Sequence, residues 1–179
     1  MLVGGLIPVI AFSVIEDRYG TVWGLVAGMV FGVGEIVYEK WTRKRVDPLT
    51  WGGNGMILVL GGVSLVTQDG IWFKLQPSLI EAAMAFTLWG SVALGKPLLV
   101  SMLRKQMSVE IAPVLRQALS GMSWRLGVFF ALHAVLATWA ALYWSTAAWA
   151  ALKGIGLTLS MIVYMVVESL VLRYRIAQH

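Results

Sequence analysis

Residues 154–172 read GIGLTLSMIVYMVVESLVL, an apolar run of 19 residues with one charged side chain, Glu168. A transmembrane helix needs about 20 mainly apolar residues, because it rises about 1.5 Å per residue through a hydrocarbon core about 30 Å thick. The run therefore predicts a membrane-spanning helix. Three further segments have the same character and a suitable length: 21–38, 77–95 and 125–144.

The overall composition supports the same class of protein. Of the 179 residues, 59% are hydrophobic and 13% are charged, whereas a soluble domain carries about 25% charged residues. The absence of cysteine excludes disulfides, thiolate metal sites and thiol catalysis. The net charge of +5 comes from Lys and Arg clustered between apolar segments, which is typical of membrane topology and not of a nucleic-acid-binding face.

Two shorter apolar segments, of about 14 residues each, complete the pattern. We predict an all-α fold, a polytopic transmembrane helical bundle of about six spans in a single domain, 1–179. Five spans is the alternative, because the first segment is short; we interpret that segment as retained and not as a cleaved signal peptide. The predicted spans are 2–15, 21–38, 54–67, 77–95, 125–144 and 154–172.

The basic residues between these spans predict the orientation. From the loop after the first span to the C-terminus, the successive counts of Lys and Arg are 1, 4, 1, 5, 1 and 2, so eleven lie on one side and three on the other. Cytoplasmic loops of membrane proteins carry the excess of Lys and Arg. The alternation therefore predicts that both termini are cytoplasmic.

The longest connection, 98–120, predicts an amphipathic interfacial segment. Residues 98–107 carry apolar side chains on one helical side and Arg104 and Lys105 near the other, and 111–119 forms a second short segment. In one interpretation both lie in the headgroup layer, with Arg104 and Lys105 contacting the anionic lipids of the inner leaflet. In the other they form a connector packed against the bundle; the two are compatible.

Glycines recur at every fourth position of the second span, at Gly24, Gly28 and Gly32. This spacing places them on one helical face, where the missing side chains allow another backbone to approach closely. The face is either an intramolecular packing surface or a homodimer contact.

Four ionisable residues lie within the predicted spans: Glu35, Glu81, His133 and Glu168. A charge at the bilayer centre costs about 2.5–3.5 kcal/mol on insertion scales, so each needs a physical reason. The acids either pair with basic neighbours or line a polar cavity, and His133 is either hydrogen-bonded to a neighbouring helix or a proton carrier. The basic residues considered as partners are Lys40, Arg43, Arg125 and Arg173.

Sequence motifs for enzymatic chemistry are missing. The chain has no His cluster with metal-ligand spacing, no nucleophile elbow and no phosphate-binding loop. The glycines of 51–55, WGGNG, do not fit a dinucleotide fingerprint, and we interpret them as a loop before the third span. We therefore predict no catalytic residue, cofactor or metal.

Several short motifs, taken in order, resemble one known family. They include GGVSL at 61–65, FKLQPSLI at 73–80, GKPL at 95–98, and Trp149 followed by Lys153 and Gly156. Together they are similar to the intracellular septation protein A family, also called the inner membrane-spanning protein YciB family. The pattern departs from the family at Leu75, Glu81 and Leu152. The matching positions are Gly61, Gly62, Phe73, Lys74, Pro77, Lys96, Pro97, Trp124, Trp149, Lys153 and Gly156.

The resemblance implies a bacterial inner-membrane protein that supports envelope integrity and septation, in contact with division and elongation machinery, without catalytic activity. A homo-oligomer is compatible with it. The second hypothesis is a small transporter, channel or lipid-handling protein in which the intramembrane acids line a path. A membrane enzyme is the remote third hypothesis.

Overall fold

The structure is a computed structural model that describes residues 6–107 and 112–177. Within these ranges the chain is helical apart from short turns, without strands, which confirms the predicted all-α helical bundle. A π-helical turn, Leu152–Gly156, separates the last two α-helices. The helices are α1 Leu6–Tyr19, α2 Thr21–Arg43, α3 Pro48–Thr67, α4 Ile71–Ala93, α5 Leu98–Met107, α6 Pro113–Tyr143, α7 Thr146–Ala151 and α8 Leu157–Ala177.

Four helical segments of the described chain are long and apolar enough to cross a membrane. A fifth is added if α4 and α5, which meet at 83°, form one broken span. Helix α1 has 14 residues and is about 21 Å long, shorter than the hydrocarbon core. The expected number of six spans, with 2–15 as the first, stays a prediction. The four segments are α2, 50–67 of α3, α6, and 146–174.

Three helices begin earlier than hydropathy predicts. Helix α3 starts at Pro48, so 51–55 is helical and not the predicted loop. Helix α4 starts at Ile71 and contains Pro77, which was expected at its start. Helix α6 starts at Pro113, so 113–119 forms its first turns, and only 98–107 is a separate helix. Hydropathy detects the apolar part of a helix, whereas these helices continue through glycine-rich or polar turns.

The chain divides into two compact units. The first comprises the residues up to Ser78 together with Leu136–Ile155, and the second comprises Leu79–Val135 and the residues from Gly156 onward. Helices α4 and α6 and the π-helical turn each pass from one unit into the other.

The first unit is built on α2, which packs against α1 and α3. The turn after α2 is closed by Glu39, whose carboxylate binds Arg43 and accepts a hydrogen bond from the backbone N–H of Asp47. Lys44 adopts a left-handed conformation there, with φ of 59°. The core of this unit contains three buried aromatic rings, and its fully buried members include Val9, Phe12, Leu25, Ile57, Phe73 and Trp149.

The second unit has its own smaller core, formed by Ala85, Leu88 and Phe130. Leu98, the first residue of α5, packs against this core together with Trp89. The indole N–H of Trp89 donates to the backbone carbonyl of Trp124 at 3.1 Å. The packing of Leu98 places the start of α5 beside the end of α4, and the Trp89 hydrogen bond joins α4 to α6.

Candidate functional site

The strongest ion pair of the second unit joins α6 to α8. The guanidinium of Arg125 donates two hydrogen bonds to the Glu168 carboxylate, Nε to Oε2 at 2.9 Å and Nη2 to Oε1. The Glu168 side chain is buried, whereas that of Arg125 is 32% exposed. A bidentate geometry is the strong form of this interaction. Glu168 is therefore neutralised by Arg125, one of the four basic residues that the sequence offered as partners.

A second buried pair joins α4 to α6. Both carboxylate oxygens of Glu81 lie 3.0 Å from Nδ1 of His133, and each residue is at least 94% buried. This geometry favours a proton on Nδ1 that is shared between the two oxygens. The Nε2 atom of His133 is buried and makes no hydrogen bond within the described chain.

The four residues predicted as a polar cavity are thus arranged as separate contacts. Arg125 and His133 are eight residues apart on α6, about 12 Å along its axis. Phe129 lies between them, with its ring 6.1 Å from the His133 ring and 5.1 Å from the Tyr164 ring. The remaining acid, Glu35, belongs to the first unit, where it accepts a hydrogen bond from Asn54 Nδ2 at 3.1 Å.

The glycines of α2 face the interior of the first unit. A Cβ atom placed on Gly24 would lie 2.8 Å from Glu16 Cβ, and one on Gly28 would lie 3.0 Å from Phe73 Cζ. A Cβ atom on Gly32 would lie 3.4 Å from Asn54. A Cβ atom on Gly61 of α3 would lie 2.9 Å from Met29 Cγ and 3.6 Å from Phe73 Cδ2. The two glycines therefore allow α2 and α3 to pack closely beside the Phe73 ring.

A polar cluster surrounds Lys74, at the start of α4. Its ammonium donates to Thr146 Oγ1 at 2.6 Å and lies 3.5 Å from Glu16 Oε1. Thr21 donates to the same Glu16 oxygen at 3.2 Å. The indole N–H of Trp149 donates to the Lys74 carbonyl at 3.1 Å. The cluster thus connects α1, α2, α4 and α7.

A second polar cluster begins at Lys153, in the π-helical turn. Its ammonium donates to Gln76 Oε1 at 3.0 Å, and Gln76 Nε2 donates to the Gly53 carbonyl at 3.0 Å. The neighbouring residue of α3, Asn54, binds Glu35. A polar chain therefore runs from Lys153 to Glu35 inside the first unit. Single π-helical turns are frequent at functional sites.

Other residues that the sequence singled out lie outside these clusters. Arg104 and Lys105 are exposed in the last turn of α5. Lys96 is exposed and Pro97 is buried in the turn between α4 and α5, and Gly62 has open space where a side chain would project. Trp124 stacks near Trp89 at 5.6 Å, and Gly156 ends the π-helical turn.

Sequence reasoning missed five side chains of the clusters: Glu16, Thr21, Asn54, Gln76 and Thr146. Only Asn54 and Gln76 could have been noticed in the sequence. An amide side chain is unusual in an apolar helix unless it forms a hydrogen bond to another helix. Glu16 and Thr146 stand at helix ends in the sequence, where polar residues are expected. Their proximity to Lys74 depends on the fold.

The family comparison covers almost the whole chain. Residues 2–179 match intracellular septation protein A. The chain belongs to the intracellular septation protein A family. This confirms the resemblance found in the sequence, and five of its motif positions, Gly61, Phe73, Lys74, Trp149 and Lys153, take part in the contacts of the first unit.

Relatives of this septation family share the name inner membrane-spanning protein YciB. The protein of Paraburkholderia phymatum is 30% identical over 171 residues and that of Paraburkholderia xenovorans 28% over 166 residues, each alignment covering 92% of both chains. The protein of Leptothrix cholodnii is 30% identical over 139 residues, 77% of this chain and 63% of its own. No solved structure matches the chain. The apolar helices and the relatives' names fit a multi-pass inner-membrane protein.

Proposed function

We propose that this protein supports septation and envelope integrity as a non-enzymatic inner-membrane protein, acting through helix, partner and lipid contacts. The observation that carries the proposal is the mutual pairing of buried ionisable side chains in the second unit, Arg125 with Glu168 and Glu81 with His133. Each pair joins two different helices. Ionisable side chains that pair between helices stabilise the helical bundle. We therefore place the functional contacts on the outer surface of the bundle.

The outer surface offers large apolar areas for such contacts. The segment 146–174 is long and apolar enough to cross the membrane, and few of its residues are buried inside the protein. Its exposed side chains face lipid or the helices of partner proteins, such as the division and elongation machinery that the family resemblance implies. We assign its partners to this class and not to nucleic acid.

Replacing both members of each pair together tests the proposal. Apolar residues of similar volume can replace a buried pair without loss of stability. In a deletion strain, we expect Arg125→Met/Glu168→Leu and Glu81→Leu/His133→Leu to restore cell length and septum placement as the parent does. A double variant that accumulates normally in the membrane but leaves septation defective would instead assign the charges a direct functional role, as in the transporter alternative.

We also propose that α5 lies in the headgroup layer of the cytoplasmic leaflet. The 83° bend after α4 turns this helix away from the α4 axis, and Arg104 and Lys105 are exposed at its end. A basic residue near an anionic surface contributes about 1 kcal/mol. In nanodiscs, anionic lipid should slow hydrogen exchange of 98–107 in the parent but not in Arg104→Gln/Lys105→Gln. Equal exchange with and without anionic lipid would mean that protein contacts hold α5.

The orientation proposal, with both termini cytoplasmic, has a direct test because the chain contains no cysteine. Lys105 and Ala147 are both exposed and should lie on opposite sides of the membrane. A membrane-impermeant thiol reagent added to intact spheroplasts should label Ala147→Cys, whereas Lys105→Cys should react only after lysis. Labelling of both variants from one side would overturn the orientation.

A further inference from the structure

A groove of about 390 Å³ lies on the surface of the hairpin that α1 and α2 form in the first unit. Every side chain that lines it is apolar, and four of the six are 46–54% exposed. Lipid tails are as apolar as these side chains. An acyl chain can therefore fill the groove without leaving a polar group unsatisfied. The lining residues are Ile7, Ile10, Ala11, Val14, Ile15 and Phe31.

The face of α1 that lines the groove ends in two exposed charged residues. Asp17 and Arg18 follow Val14 by three and four positions, a spacing that places side chains on one helical face. Neither forms an ion pair with another residue of the described ranges. The neighbouring acid, Glu16, differs because it contacts Lys74 inside the unit. The apolar groove is thus followed, at one end, by an acid and a base that a ligand can reach.

The length of the groove matches one leaflet of a bilayer. A Cβ atom on Gly28 of α2 would lie 3.3 Å from the Pro8 carbonyl oxygen. Phe31 lies almost one turn further along α2, so it stands at the Ile7 end of the groove. From Ile7 to Arg18, α1 covers eleven residues, or about 16 Å along its axis. One leaflet of a hydrocarbon core about 30 Å thick measures about 15 Å.

The two charges select among lipid headgroups. A phosphate oxygen suits the Arg18 guanidinium, whereas a headgroup that is only anionic places a like charge beside the Asp17 carboxylate. A primary ammonium complements Asp17 by its charge and by its three N–H donors. The quaternary ammonium of phosphatidylcholine has no N–H to donate. Phosphatidylethanolamine, which carries a phosphate and a primary ammonium, complements both residues.

We propose that the groove between α1 and α2 binds one molecule of phosphatidylethanolamine. One acyl chain lies along Ile10 and Val14 as far as Phe31, the phosphate contacts Arg18 and the ammonium contacts Asp17. The inference rests on the lipid contacts of the proposed function and names one lipid among them. Its test uses purified protein without division proteins, so its failure leaves the septation role, which is tested in cells, unaffected.

Native mass spectrometry of the purified full-length protein in detergent tests the site. Phosphatidylethanolamine, phosphatidylglycerol and phosphatidylcholine with the same acyl chains are added in turn. The parent should bind one phosphatidylethanolamine about fivefold more tightly than either of the other two lipids, because only this headgroup satisfies both charges.

Two kinds of variant separate the acyl chain from the headgroup. Ala11→Phe fills the groove and should weaken phosphatidylethanolamine binding by about fivefold or more. Val14→Trp, at an exposed position, should do the same if Ala11→Phe does not fold. Ala83→Phe is the matched control at an exposed position of α4 and should bind as the parent does. Asp17→Asn should still bind lipid but lose the preference for phosphatidylethanolamine.

Three results would overturn the proposal. Equal affinity of the parent for the three lipids would mean that the groove holds ordinary boundary lipid. Equal weakening by Ala11→Phe and Ala83→Phe would place the bound lipid elsewhere. A parent that binds no lipid and forms a dimer, which Val14→Trp dissociates, would show that a second copy of the chain occupies the groove.

Discussion

Arg125→Met is expected to lower the free energy of unfolding by about 3–5 kcal/mol, because it leaves the buried Glu168 carboxylate without its partner. The bidentate contact satisfies both carboxylate oxygens of Glu168. Bulk water cannot replace the contact, because the Glu168 side chain is only 4% exposed. Reversible unfolding in detergent, followed by circular dichroism, measures the loss.

The control for this substitution is Arg173→Met, which removes the same charge from an exposed position of α8, the helix that carries Glu168. It should change the unfolding free energy by no more than about 0.5 kcal/mol. Arg125→Met/Glu168→Leu should recover most of the loss, since it removes the unpaired charge. Equal stability of Arg125→Met and the parent would show that the pair does not join α6 to α8.

Gly28→Leu should destabilise the protein by about 1–3 kcal/mol or more through overpacking. Even the first carbon of the new side chain would lie 3.0 Å from the Phe73 ring and 3.3 Å from the Pro8 carbonyl oxygen. The Phe73 ring is fully buried, so it has no free space into which to move. A thermal-shift assay in detergent measures the effect.

Gly34→Leu is the matched control on the same helix, because a Cβ atom there meets nothing within 4 Å. It makes the same change in helix propensity and hydrophobicity. The difference in melting temperature between the two variants therefore measures the effect of packing alone. If Gly28→Leu and Gly34→Leu melt at the same temperature, the glycine face does not determine the packing of α2.

The sequence predicted the helical class and the family, because both depend on local hydrophobicity and on motifs that can be read directly. It placed helix ends poorly where the cause was not local. The WGGNG run of α3 has weak helix propensity, yet its Gly53 carbonyl and Asn54 amide bind Gln76 and Glu35. Tertiary hydrogen bonds of this kind override glycine's preference for turns.

The polar contacts were harder to predict, because their partners are far apart in the chain. His133 and Glu81 are separated by 52 positions, and Lys74 and Thr146 by 72. The cost of an intramembrane charge indicated that each acid needs a partner. Only the fold determines which one. The sequence therefore offered two arrangements of the acids, pairing with basic neighbours such as Arg125 or a shared cavity, and the fold determines the particular pairs.

The length of α6 has a consequence for the bilayer around the protein. With 31 residues it measures about 46 Å, roughly 16 Å more than the hydrocarbon thickness. Arg125 divides it into a mainly apolar stretch of 18 residues, about 27 Å long, and an N-terminal extension of 12 residues. The apolar stretch matches a slightly thin membrane. In a thicker one, lipid tails would have to shorten locally around the Arg125–Glu168 pair, so the protein would favour thinner regions of the membrane.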